Sequence, residues 1–176
     1  MKKMYEFSII ASGLDPQADG FEARLYNAGC DDSTISFQKG HIILDFAREA
    51  KSIDEAVSSA IEAVRAAGAH IDRVEPDPLV SLSEIAARTG MSRAAMTQYS
   101  KGQRSSGFPA PVAKVTSDSP LWDWSGVARW LYQHDKIEWE VALEAEIVKQ
   151  ANEAIERDEP IREHLSKCAR EYDVAT

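Results

Sequence analysis

The sequence predicts an α+β protein in three parts, and three observations carry that expectation. Over residues 1–76, segments with alternating apolar residues and segments with helical apolar spacing follow one another as strand, helix, strand, strand, helix, strand. Residues 80–133 form a basic island, with 6 Lys/Arg against 3 Asp/Glu, between acidic flanks in which residues 1–79 carry 8 against 14 and residues 134–176 carry 6 against 12. Residues 134–176 read as helix almost throughout.

The first part opens with MYEFSIIAS (4–12), which alternates and is rich in aromatic and β-branched residues, as a strand requires. After a turn from Gly13 to Pro16, residues 16–28 place Ala18, Phe21, Leu25 and Ala28 at helical spacing, with Gly29 as the C-terminal cap. Thr34–Gln38 and His41–Ala47 alternate on either side of Lys39-Gly40, the pattern of a tight hairpin. Ser52 and Glu55 then form a capping box for a helix with the stripe Ile53, Val57, Ala60, Ile61 and Val64, ended by Gly68. A last strand, His70–Glu75, runs to Pro76. This order is the split βαβ arrangement of ferredoxin-like folds, placed over residues 1–76. That arrangement hosts many functions. The domain lacks an aromatic RNA-binding strand, a CxxC pair and a glycine-rich phosphate loop, and it is acidic, so its expected role is to hold a protein partner or small-molecule effector, or to oligomerise.

The composition sets outer bounds. A chain of 176 residues with 44% hydrophobic and 28% charged residues can bury a core, which excludes disorder as its main state. No apolar run approaches the ~20 residues of a membrane helix, and the N-terminus reads directly into strand texture, so the expected compartment is the cytoplasm. Cys30 and Cys168 lie far apart without metal-ligand spacing, so neither a zinc site nor a disulfide scaffold is expected. His41, His70, His134 and His164 have no HxxxH or HExxH context, and there is no GxSxG. No catalytic, metal or cofactor site is therefore expected, and Asp31-Asp32 reads as a polar turn.

Pro76-Asp-Pro78 is a stiff boundary, and the second domain is placed over residues 79–133. In VSLSEIAARTGMSRAAMTQYSKG, Ser81 or Ser83 can cap a short helix carrying Ile85 and Ala86, Thr89-Gly90 breaks it, and Ser92 caps a second. A small side chain suits the helix crossing at Ala86, and Gly90 supplies the positive φ of the turn. Ile85, Met91, Met96 and Tyr99 point inward. The second helix then presents Ser92, Arg93, Thr97, Gln98 and Lys101 outward, a set of donors suited to base edges and phosphates. Beyond it come a short strand from Phe108 to Val115, a turn from Thr116 to Pro120, a second short strand, and a helix capped by Ser125 with Val127, Trp130 and Leu131 packed back. Trp122, Trp124 and Trp130 are expected in the small core.

The helix pair and the segment SSGFPAPVAKVTSDSPLWDWSGVARWL together resemble, over residues 80–133, the winged helix-turn-helix of excisionase and MerR-type DNA-binding proteins. That pattern runs from GFP-x-P through a wing to an aromatic strand and a V-x-x-WL helix. The resemblance implies double-stranded DNA as partner, with Arg104 and Lys114 as phosphate contacts beside the outward helix face. Asp118 in the wing turn is an acidic departure from a basic wing.

The third part, residues 134–176, is expected as a helical extension. Ile137, Val141, Ala145, Val148, Ala151 and Ile155 form a stripe over 134–157, Pro160 ends that helix, and Ile161, Leu165, Cys168 and Tyr172 line the inner face of another. Such a stripe calls for a covering surface. Two are open: a second copy, giving a homodimer that reads two half-sites as MerR-like modules do, or the N-terminal domain of the same chain. Three functions follow as expectations: a dimeric transcriptional regulator, in particular a repressor; an antitoxin-like adaptor for a basic protein, with autoregulatory DNA binding; or an excisionase-like recombination factor that bends DNA.

Overall fold

The computed structural model describes residues 1–175 as a mixed α+β chain with a four-stranded antiparallel sheet. It divides into two compact units, residues 1–76 with 147–175, and residues 77–146. The division runs through the helices expected as an extension instead of setting residues 134–176 apart. No helix among the described residues is long and apolar enough to cross a membrane.

The first unit holds β1 (Lys3–Ser12), α1 (Phe21–Leu25), β2 (Ser33–Gln38), β3 (His41–Ala50), α2 (Ile53–Ala66) and β4 (His70–Glu75), with sheet order β2-β3-β1-β4. Alternation decides which face is buried: Phe7, Ile9 and Ala11 of β1 pair in register with Phe46, Leu44 and Ile42 of β3, and all six are buried. Lys39 and Gly40, at φ 50° and 81°, close the hairpin; Gly40 takes its positive φ freely, whereas Lys39 holds a left-handed conformation uncommon for its type. The whole predicted stripe of α2 is buried. Ser52 caps α2 by accepting from the Glu55 N–H at 3.4 Å, but the Glu55 carboxylate accepts from the Lys51 N–H at 2.9 Å, one residue before the reciprocal bond expected.

The first helix differs from expectation. It starts at Phe21 and not at Pro16, because the Asp15 carboxylate accepts from the Gln17 N–H at 2.9 Å and Gly20 sits at φ 77°, so residues 15–20 form turns and Ala18 is exposed. After Leu25 the chain widens into a π-helical turn, Tyr26–Cys30, with Gly29 at φ 109°. Arg48 fastens that turn. Its guanidinium donates to both carboxylate oxygens of Asp32 at 2.8 Å, to the Gly29 carbonyl and, at 3.1 Å, to Ser59 Oγ. Asp32 is thus an ion-pair partner as well as a turn residue.

The second half of α6 (Trp139–Glu156) and α7 (Ile161–Ala175) complete this unit. Asn152 treats the outer edge of β4 as another strand would: its side-chain oxygen accepts from the Val74 N–H at 2.8 Å, and its amide donates to the Val74 carbonyl at 3.0 Å. α7 packs on α2 with Ile161, Leu165 and Tyr172 buried, and Arg162 grips Glu62 through two bonds of 2.9 and 2.7 Å. The expected long helix over 134–157 is shortened at its start. Asp135 takes φ 56° and the Lys136 N–H returns to the Leu131 carbonyl at 2.9 Å, which closes the preceding helix and leaves Ile137 outside. Of the predicted stripe, Ala145, Val148 and Ala151 are buried within the single chain, whereas Val141 and Ile155 are half-buried.

Candidate nucleic-acid interface

The unit of residues 77–146 is built around a helix pair, α3 (Leu82–Thr89) and α4 (Arg93–Ser100), joined through Gly90, Met91 and Ser92. Ser81, not Ser83, caps α3. Its Oγ accepts from the Glu84 N–H at 3.2 Å and the Glu84 carboxylate accepts from the Ser81 N–H at 2.9 Å, a complete capping box. Gly90 ends α3 at φ 69°, a conformation that a Cβ would strain. Ser92 Oγ accepts from the Ala95 N–H at 3.1 Å and starts α4.

The inner side of the pair is as expected for Ile85, Ala86, Met96 and Tyr99, all buried, with Ala95 beside them and Met91 half-buried. The three tryptophans are buried too. Tyr99, Phe108 and Trp130 form an aromatic cluster with ring centroids 5.1–6.2 Å apart. The Trp122 indole donates to the Pro109 carbonyl at 2.9 Å and the Trp130 indole to the Ser106 carbonyl at 3.3 Å, so both rings tie the 106–109 segment to the core. Trp124 lies under the Arg88 guanidinium at 5.4 Å.

Two local expectations need correction. Ser125 does not cap α5 (Trp124–Gln133): Asp123 stands at the cap, and the buried Ser125 hydroxyl donates to the Glu146 carboxylate. The strand expected from Phe108 to Val115 does not form: two prolines, Pro109 and Pro111, deny it backbone donors, and only Ala113 makes a bridge, while a strand not expected stands elsewhere in the wing. β5 (Leu79–Val80) pairs with β6 (Trp122–Asp123), while on the other side Ala113 and Leu121 exchange hydrogen bonds of 3.2 and 2.9 Å. Two residues are too short a run to show alternation, which hid β5 in the sequence.

The predicted site residues fall into two groups. Ser92, Arg93, Gln98 and Lys101 are exposed along α4 and Thr97 is half-exposed among them. At about 100° per residue, Arg93, Thr97, Lys101, Ala94 and Gln98 follow one another around a single outward arc. The exposed Ala94, between Lys101 and Gln98 in that arc, was missed because its type carries no donor; the helical angle alone points to it, and a methyl there suits contact with a thymine methyl. Thr97 is less of a donor than its type suggests, since its hydroxyl already donates to the Arg93 carbonyl at 3.1 Å. Arg104, exposed beyond the helix end, lays its guanidinium 5.5 Å from the Tyr99 ring centroid.

Lys114 belongs to the second group, on the wing. It is exposed at φ 49°, and its carbonyl accepts from both the N–H and the hydroxyl of Ser117, at 3.0 and 2.8 Å. Val112 and Val115 beside it are 58% and 61% exposed, and Asp118 is exposed in the same loop. Among the described residues, no group of three or more His, Cys, Asp or Glu could hold a metal ion. Comparison of the chain with protein-family models, with curated proteins and with solved structures finds no match.

Proposed function

We propose that the chain is a sequence-specific DNA-binding protein, acting as a transcriptional regulator, with α4 as its reading helix in the major groove and the 112–121 loop as its wing. The observation that carries this reading is the outward arc of α4. Arg93, Gln98 and Lys101 are exposed on a helix whose opposite side is fully used by the core, and they offer donors to base edges and phosphates. The capped α3, the glycine turn and the small pairing of β5 with β6 support the winged helix-turn-helix reading of this unit. The antiparallel order β2-β3-β1-β4 supports the ferredoxin-like reading of the first unit, whose role in this proposal is to hold a partner or effector. Two copies on two half-sites remain part of the proposal, but their contact lies elsewhere than the 137–155 stripe, much of which one chain already buries.

The test is selection of bound duplexes from a random pool with the full-length protein, followed by anisotropy on the winning sequence. A discrete motif bound more tightly than scrambled duplex, with affinity falling steeply with salt, is the expected result. No enrichment, or binding indifferent to salt, overturns the reading. A specific observation also favours the variant in which DNA is bent: the exposed Val112 and Val115 could wedge between base steps. Circular-permutation mobility assays on the selected site separate the two, a position-dependent shift favouring bending.

A further inference from the structure

The two edges of the four-stranded sheet are finished differently. At β4 the Val74 backbone is occupied by the Asn152 side chain. β2, at the other edge, has β3 on one side and no strand on the other. Its sequence, STISFQ, carries none of the devices that keep an edge from pairing: it has no proline and no charge, and all six residues hold one register with β3, without a bulge. Each of the other three strands of the sheet carries charged residues. The hairpin fixes where the backbone groups of β2 point. The two-residue loop Lys39-Gly40 makes Gln38 and His41 a hydrogen-bonded pair, and at the far end the Ala47 N–H donates to the Asp32 carbonyl at 3.0 Å. Even-numbered residues therefore bond to β3, and the N–H and C=O groups of Ser33, Ile35 and Phe37 face the open edge. On the side of the sheet that carries the helices, Phe37 stays 48% exposed although its ring contacts Phe21, with centroids 5.5 Å apart.

We propose that β2 pairs antiparallel with β2 of a second copy of the chain, joining two four-stranded sheets into one about a two-fold axis at Ile35. Charge selects a copy as the occupant. Residues 1–79 carry 8 Lys/Arg against 14 Asp/Glu, so two copies repel over most of this unit and meet at least cost along its neutral strand, whereas a basic partner gains nothing there. Register selects the axis. Opposed residues must share a face of the sheet, so the axis passes through a residue and not between two. With Ile35 opposite Ile35, Ser33 lies opposite Phe37, and all three outward-facing residues exchange both their hydrogen bonds. A slip of two residues would set Ser33 against Lys39, whose φ of 50° is off the strand. The same register brings the exposed Lys39 of each copy to the exposed Asp31 of the other. Within one chain those two charges stand at opposite ends of β2, about 20 Å apart. The inference rests on the two-copy part of the function proposed above, but its test contains no DNA, so either can fail while the other holds.

The experiment is sedimentation equilibrium of the full-length protein, with amide hydrogen exchange followed by NMR. The expected result is a monomer–dimer equilibrium in which the N–H groups of Ser33, Ile35 and Phe37 gain protection as concentration rises, while those of Thr34 and Ser36, bonded to β3, are protected throughout. Ile35→Pro removes an outward N–H without touching a bond to β3, and it abolishes the dimer with circular dichroism unchanged. Lys39→Glu sets like charges together and weakens dimerisation by about tenfold, and Asp31→Lys in the same chain restores it. A monomer at every concentration up to about 1 mM, where even a millimolar contact shows, overturns the proposal, as does a folded Ile35→Pro variant that stays dimeric. If that variant does not fold, wild-type exchange decides: a fast-exchanging Ile35 amide at concentrations where the dimer is present overturns it.

Discussion

α2 and α4 are both serine-capped helices with a buried stripe, yet they serve different purposes, and the difference lies in how many sides are covered. α2 buries Ile53, Val57, Ala60, Ile61 and Val64 and is flanked by the sheet and by α7, whose Arg162 holds Glu62. α4 buries only Ala95, Met96 and Tyr99 and leaves Arg93, Ala94, Gln98 and Lys101 exposed. Packing buries eight of the fourteen residues of α2, against three of the eight of α4. A helix whose polar side is unclaimed by its own fold is where a partner surface is to be sought.

The sharpest contrast is expected in stability. Ile61→Ala removes a fully buried side chain between two covering layers and costs about 2–5 kcal/mol, measured by denaturant titration, whereas Gln98→Ala leaves the midpoint essentially unmoved. An equal loss in both variants would mean that α4 is packed on its outer side after all.

In binding the contrast inverts. Arg93→Ala or Gln98→Ala should each relax preference at one or two base pairs of the selected site by about 1–3 kcal/mol, with Tm unchanged. Competition anisotropy against single-base variants measures this, and undiminished discrimination in both would remove α4 as the reader. Between these two effects in kind, Ser92→Ala tests the cap that aims the helix. Loss of the bond to the Ala95 N–H should cost about 1 kcal/mol of stability, and it should weaken DNA binding with no change of base preference.

Lys101→Ala should weaken binding to all duplexes alike and make the slope of log affinity against log salt shallower by about one. The smallest effect lies on the α2 side. The hydrogen bonds from Arg162 hold the Glu62 carboxyl below its ordinary value, so its contribution is fully present above the unfolded carboxylate range and fades as pH falls through the folded value. Both side chains are about half exposed, which limits the pair to under about 1 kcal/mol. Stability curves of wild type and Glu62→Gln should therefore lie slightly apart at pH 7 and converge under acid.

Much of this architecture was legible in local chemistry. Ser52, Ser92, Gly40 and Gly90 do what their types dictate, because capping and positive-φ turns are settled within a few residues. The outward arc of α4 was legible from helical spacing, save Ala94, which offers no polar signal. Less legible were features made by distant groups. Arg48 with Asp32 and Gly29, Asn152 with the edge of β4, and Ser125 with Glu146 join residues whose spacing carries no period.

Residue types and spacing by themselves determined the four strands of the sheet, most of the helix stripes, the break at Pro76-Asp-Pro78 and the donor-rich side of α4, since each rests on short-range sterics or on one periodicity. Only the tertiary structure decided what covers the stripes of α6 and α7. An apolar stripe states that it must leave water, at about 25 cal/mol per Å², but the hydrophobic effect has no direction and names no partner. The fold made that choice: α7 packs on α2 with Ile161, Leu165 and Tyr172 buried, the Asn152 amide on the Val74 backbone fixes α6 at the edge of β4, and the exposed Arg162–Glu62 pair adds little.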